Sequence, residues 1–157
     1  MKLLLLCVLA ALALAVEPEV KTYEDLRHHI ETFEGKTIVL FFDPEASTQR
    51  KNDLIKDVND VILQKPENKD VKFLQSQIVV KQVLDADEDQ KLEDPYMLVD
   101  ELQLEVVPLK HMPTLVAFHN GWATSVHGNN AAQVLDKKLW NFDTKAREKK
   151  LADDAEK

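Results

Sequence analysis

The sequence predicts an α/β fold with a central mixed sheet flanked by helices on both faces. Three observations carry that reading. Thr37–Phe42 is a nearly continuous apolar, β-rich run ended by Asp43-Pro44, the pattern of a strand covered on both sides. Pro113 opens a second apolar strand, Asn120-Gly121 turns it, and Trp122–His127 returns as far as Gly128. Asn-Gly is the strongest short hairpin signal, because both central residues of a type I′ turn need φ > 0. Around these runs lie segments with helical apolar spacing, so the order α-β-α-β-α-β-β-α implies parallel strands closed by a terminal hairpin.

The chain begins with Lys2, the uninterrupted apolar run Leu3–Leu14 and the small-x-small pattern Ala13-Leu14-Ala15. These are the three parts of a secretory signal peptide over residues 1–15, with Val16 as the new N-terminus. The run is too short to span a bilayer comfortably, so no membrane attachment is expected after its removal. Thr22 then caps a helix with apolar Tyr23, Leu26, Ile30 and Phe33, and Gly35 suits its end. After the first strand, Ser47 or Thr48 caps a second helix with apolar Leu54, Ile55, Val58, Val61 and Ile62. Pro66 ends it.

Val71–Gln77 is ambiguous between a short helix and a strand, whereas Ile78–Leu84 reads as strand. An acidic run follows, and Asp94-Pro95 starts a third helix holding Met97, Leu98, Val99, Leu102 and Val106. After the hairpin, Asn129 or Asn130 caps a last helix with the stripe Ala131, Val134, Leu135, Leu139 and Phe142, Trp140 standing at its edge. The domain therefore spans residues 16–142, and the charged segment 143–157 extends or frays from the last helix.

Composition bounds the function. Hydrophobic residues are 45% and charged residues 31%, a globular balance with a heavily charged surface. The formal net charge of −8 speaks against nucleic acid, which needs a clustered basic face. The only cysteine is Cys7, inside the leader, so the mature protein has no thiol for disulfide exchange, nucleophilic attack or metal ligation. No Lys-Asp-Glu-Leu-type retention signal closes the chain. The expected location is the secretory pathway, either its lumen or the extracellular space.

The element order and the spacing Pro113-Thr114-x-x-x-Phe118-x-Asn120-Gly121 resemble the thioredoxin family from about Tyr23 to Phe142. The resemblance implies a cis peptide bond before Pro113. It also aligns the family's Cys-x-x-Cys with Ala46-Ser47-Thr48-Gln49, and the family's buried proton-handling Asp with Leu40. Both thiols and the carboxylate are replaced, so no disulfide oxidoreductase activity, no cofactor and no catalytic residue are expected. Ser47 and Thr48 read as helix caps. What the resemblance leaves is a peptide-binding edge at His111, Met112, Pro113 and Thr114, facing Ala46, Ser47, Thr48 and Gln49. Methionine suits adaptable apolar recognition. Cysteine-less thioredoxin-like domains serve as substrate-binding parts of secretory disulfide isomerases, which implies a non-catalytic module for a protein or unfolded-peptide client.

Two other constellations compete. Asp85, Asp87 and Asp89 alternate as in the start of an EF-hand loop, but Gln90 stands where the sharp turn needs Gly and Tyr96 where the bidentate Glu belongs. The run supports weak calcium binding at most, a reading that acidic calcium-storage proteins of thioredoxin-like build keep as an alternative. A structural role in an extracellular assembly is a further alternative. His119 and His127 fall at opposite ends and on opposite faces of the predicted hairpin, so they share no metal.

Overall fold

A computed structural model describes residues 19–20, 22–87, 89–90 and 96–139. The expected leader 1–15, Asp94-Pro95, Trp140, Phe142 and the tail 143–157 lie outside the described residues. The elements are β1 (Glu19–Val20), α1 (Tyr23–Thr32), β2 (Thr37–Phe42), α2 (Thr48–Val58), β3 (Lys72–Gln77), α3 (Val80–Leu84), α4 (Tyr96–Glu101), α5 (Val106–Leu109), β4 (Thr114–His119) and β5 (Trp122–His127). Helical residues 131–139 form α6. The strands make one sheet in the order β1-β3-β2-β4-β5. β1, β3 and β2 run parallel, β4 is antiparallel to β2, and β5 is antiparallel to β4.

The centre of the sheet explains its sequence. Ile38, Val39, Leu40 and Phe41 are all fully buried, because successive side chains enter opposite cores. Val39 and Phe41 join Leu74, Val116 and Phe118 against Leu26 of α1 and the residues of α3–α5. Ile38 and Leu40 join Phe73, Leu115, Ala117 and Val126 against Leu54 and Val58 of α2 and Leu135 and Leu139 of α6. Helices thus cover both faces.

The hairpin has the expected register, with Phe118 opposite Ala123, Val116 opposite Ser125 and Leu115 opposite Val126. Asn120 and Gly121 take φ of 48° and 76°, as a type I′ turn requires. Thr22 caps α1, its hydroxyl accepting from the Asp25 N–H at 3.0 Å.

Four expectations are corrected. Lys72–Gln77 is the strand, and Val80–Leu84, expected as strand, is helical. The cause lies in the neighbours. The Ile78 N–H donates to the Phe42 carbonyl at 2.9 Å as the last rung, after which β2 turns away at Asp43-Pro44 and β1 reaches only Ser76. A strand continuing past Ile78 has no partner for its backbone, so the chain coils and buries Val80 and Val83 at helical spacing. The acidic run 85–89 therefore follows a helix, not a strand. Second, α1 ends at Thr32, and Gly35 does not close it; instead a Cβ at Gly35 would stand 2.5 Å from the Phe33 ring. Third, Val134 is exposed, and Ala132 takes its place in the α6 stripe. Fourth, the segment after residue 95 is two short helices, with Val106 opening the second.

Candidate functional site

The site forms where β2 gives way to α2, beside the loop that enters β4. Asp43 is buried; its carboxylate Oδ1 accepts from the Glu45 N–H at 3.0 Å and its carbonyl from the Ala46 N–H at 3.0 Å. These two bonds fold Asp43–Ala46 into a turn that delivers Ser47 to the N-cap of α2. The Ser47 hydroxyl accepts from the Arg50 N–H at 3.4 Å, a long capping bond. Ser47 is therefore the cap, and Thr48 is the first helical residue. Lys51 reaches back over the Phe42 ring, 4.4 Å from its centroid.

The opposite wall is the loop after α5. The N–H groups of His111 and Met112 both donate to the Pro108 carbonyl at 2.9 Å. The Arg50 guanidinium donates to the His111 carbonyl at 2.9 Å, tying α2 to this loop across the site. Pro113 is buried between them. A depression of about 140 Å³ on one side of Pro113 is lined by Phe42, Pro44, Ala46, Ser47, Thr48 and Lys51, together with Asp43. On the other side a groove of about 240 Å³ runs between the α2 residues Arg50, Asp53, Leu54 and Asp57 and the loop residues Met112, Pro113, Gly128 and Asn129.

Of the residues expected here, Ala46, Ser47, Thr48, Met112 and Pro113 come together around these two depressions. Gln49 does not face them; its amide donates to Asp53 Oδ1 at 2.7 Å. His111 contributes its carbonyl, and Thr114 is buried at the start of β4, opposite Phe41 and His127. Arg50, Asp53, Leu54 and Asp57 were not expected. Their spacing of i, i+3, i+4 and i+7 marks one helix stripe, but only the loop packed against it makes that stripe a wall.

The Met112 N–H donates to the Pro108 carbonyl and the His111 carbonyl accepts from Arg50, so both backbone groups are engaged within the chain. The surface of the two depressions is therefore made chiefly of side chains, Met112 and Leu54 among them. Elsewhere, Asp87 and Gln90 bond to each other through Oδ1 to N–H at 3.0 Å and N–H to Oε1 at 3.2 Å. Among the described residues, no three His, Cys, Asp or Glu side chains converge on a metal position.

The architecture resembles a solved structure, that of chloroplastic thioredoxin z, with a TM-score of 0.50 and 15% identity, over 82% of this chain and 95% of that chain. The fold is thioredoxin-like. No family model matches the sequence, and no curated protein does. The catalytic cysteine pair of such a fold is absent here: Cys7 is the only cysteine, so the chain has no dithiol to cycle.

Proposed function

We propose that this is a secretory-pathway protein that binds extended protein segments without redox chemistry, acting as a chaperone-like or adaptor module. The observation that carries the reading is the pair of depressions on either side of Pro113, lined by Ala46, Ser47 and Thr48 on one side and by Met112 on the other. A concave surface of apolar and polar side chains, kept at the place where the fold ordinarily handles protein substrates, retains a use for recognition after the thiols are lost. Met112 supplies an adaptable apolar contact, and Arg50 fixes the loop that carries it. The leader-like sequence 1–15 supports entry into the secretory pathway.

The test is a titration of the protein with unfolded secretory peptides, followed through backbone amide spectra. Shifts gathered at Ala46–Thr48, Met112 and Asn129, abolished by Met112→Asp in a folded variant, are the expected result. Peptides that move no amide of these segments would sink the proposal. Independently, N-terminal sequencing of the protein recovered from a secreting cell should begin at Val16.

A further inference from the structure

The groove beside Met112 has an unbalanced wall. Its α2 stripe carries one cation, Arg50, and two carboxylates, Asp53 and Asp57. The Arg50 guanidinium is engaged with the His111 carbonyl at 2.9 Å, and Asp53 Oδ1 accepts from Gln49 at 2.7 Å. Asp57 is half-buried and has neither a hydrogen bond nor an ion pair among the described residues. One turn on, Asp60 has its cation, Lys56 Nζ at 3.3 Å. Asp57 thus stands partly covered beside Leu54 with no cation among the described residues to meet its carboxylate.

The missing partner has a definite chemistry. Two carboxylates without a third donor do not make a metal site, and among the described residues no such triad exists. An anionic ligand would be repelled by the wall and by a chain of net charge −8. Leu54, Met112 and Pro113 give the same groove an apolar surface, along which the stem of a long basic side chain lies while its head reaches a carboxylate. We infer that the groove selects an extended peptide presenting a lysine or arginine beside an apolar residue, the cation meeting Asp57 and Asp53 and the apolar side chain resting on Met112 and Leu54. This rests on the peptide-binding reading above and adds the chemistry of the client.

The experiment compares fluorescent peptides identical except at one central residue: lysine, norleucine, which keeps the stem and lacks the ammonium, or glutamate. Anisotropy titrations of the protein should give affinities falling in that order, lysine exceeding norleucine by about tenfold, as one charge-assisted contact supplies. The lysine advantage should shrink at high salt. Asp57→Asn, a polar swap whose folding is checked by circular dichroism, should bring the lysine and norleucine peptides to the same affinity. Equal binding of lysine and norleucine peptides to the native protein overturns the basic selectivity while leaving peptide binding standing. A lysine preference that persists in Asp57→Asn and Asp53→Asn overturns the assignment of the carboxylates. Binding of none of the peptides overturns both readings.

Discussion

At the scale of single residues, two interactions outside the groove make distinct demands. The His29 ring stacks on Phe33 with centroids 5.5 Å apart, and its Nε2 lies 3.3 Å from the Thr37 hydroxyl. Burial, with smaller contributions from Lys72 and His28, holds its pKa below the ordinary 6.5. The unfolded chain therefore binds this proton more readily than the native one. The stability His29 contributes is present above the unfolded value and is lost as pH falls through the lower native value. His29→Gln, which retains groups able to bond Thr37, should lose less of its urea midpoint than the wild type between neutral and mildly acidic pH; equal losses would acquit His29. The second interaction is the ion pair of Lys65 Nζ with Asp136 Oδ2 at 2.6 Å, which ties the turn after Asn59–Leu63, the π-helical continuation of α2, to α6. Among the described residues Asp136 Oδ1 is buried without a hydrogen-bond partner, so the carboxylate relies on the Lys65 cation. Lys65→Met should cost about 1–3 kcal/mol in urea unfolding. Adding Asp136→Leu should recover part of that loss, because the orphaned charge is then gone.

At the scale of elements, turn chemistry was legible and strand limits were not. Asn120-Gly121 determined both the hairpin and its register from local backbone preference alone, and Gly128 ended β5 for the same kind of reason. Gly128 takes φ of 105°, with open space where a Cβ would sit. Gly128→Ala should therefore lower stability by about 1 kcal/mol through backbone strain alone, measured as a fall in unfolding temperature without change in the near-ultraviolet spectrum of the core. Ile78–Leu84 shows the opposite case. Its β-branched residues favour a strand, but a strand exists only where a neighbour offers its edge, and β2 has already left. Which segment of 71–84 pairs is decided by the lengths of β1 and β2, information that no local window holds. The same limit hid the groove: Arg50, Asp53 and Asp57 read in sequence as the solvated face of an amphipathic helix, and they become a wall only because residues 112–113 and 128–129 pack beside them.

At the scale of the whole molecule, the alternation of Ile38–Phe41 into two apolar cores dictated the layered architecture, and that architecture delivers the β2–α2 junction to Pro113 whether or not cysteines are present. Whether this junction could hold a dithiol can be tested by introducing thiols on either side of Ser47 and Thr48. Ala46 precedes the Ser47 cap and Gln49 lies in the first turn of α2, so cysteines at both positions would sit at the positive end of the helix dipole, which favours a thiolate. Leu40, fully buried in β2, supplies no carboxylate to take up a proton. In a chain carrying Cys7→Ser, the double variant Ala46→Cys, Gln49→Cys should lose both thiols on mild oxidation while remaining monomeric on a non-reducing gel, whereas Ala46→Cys alone should retain its thiol in the monomer. Loss of both thiols without dimerisation would show that the junction brings the two Cα atoms within the narrow range a disulfide tolerates. Two thiols persisting under the same oxidant would show that the turn Asp43–Ala46 holds the junction outside disulfide geometry, so that the absence of redox chemistry here lies in the backbone as well as in the two side chains.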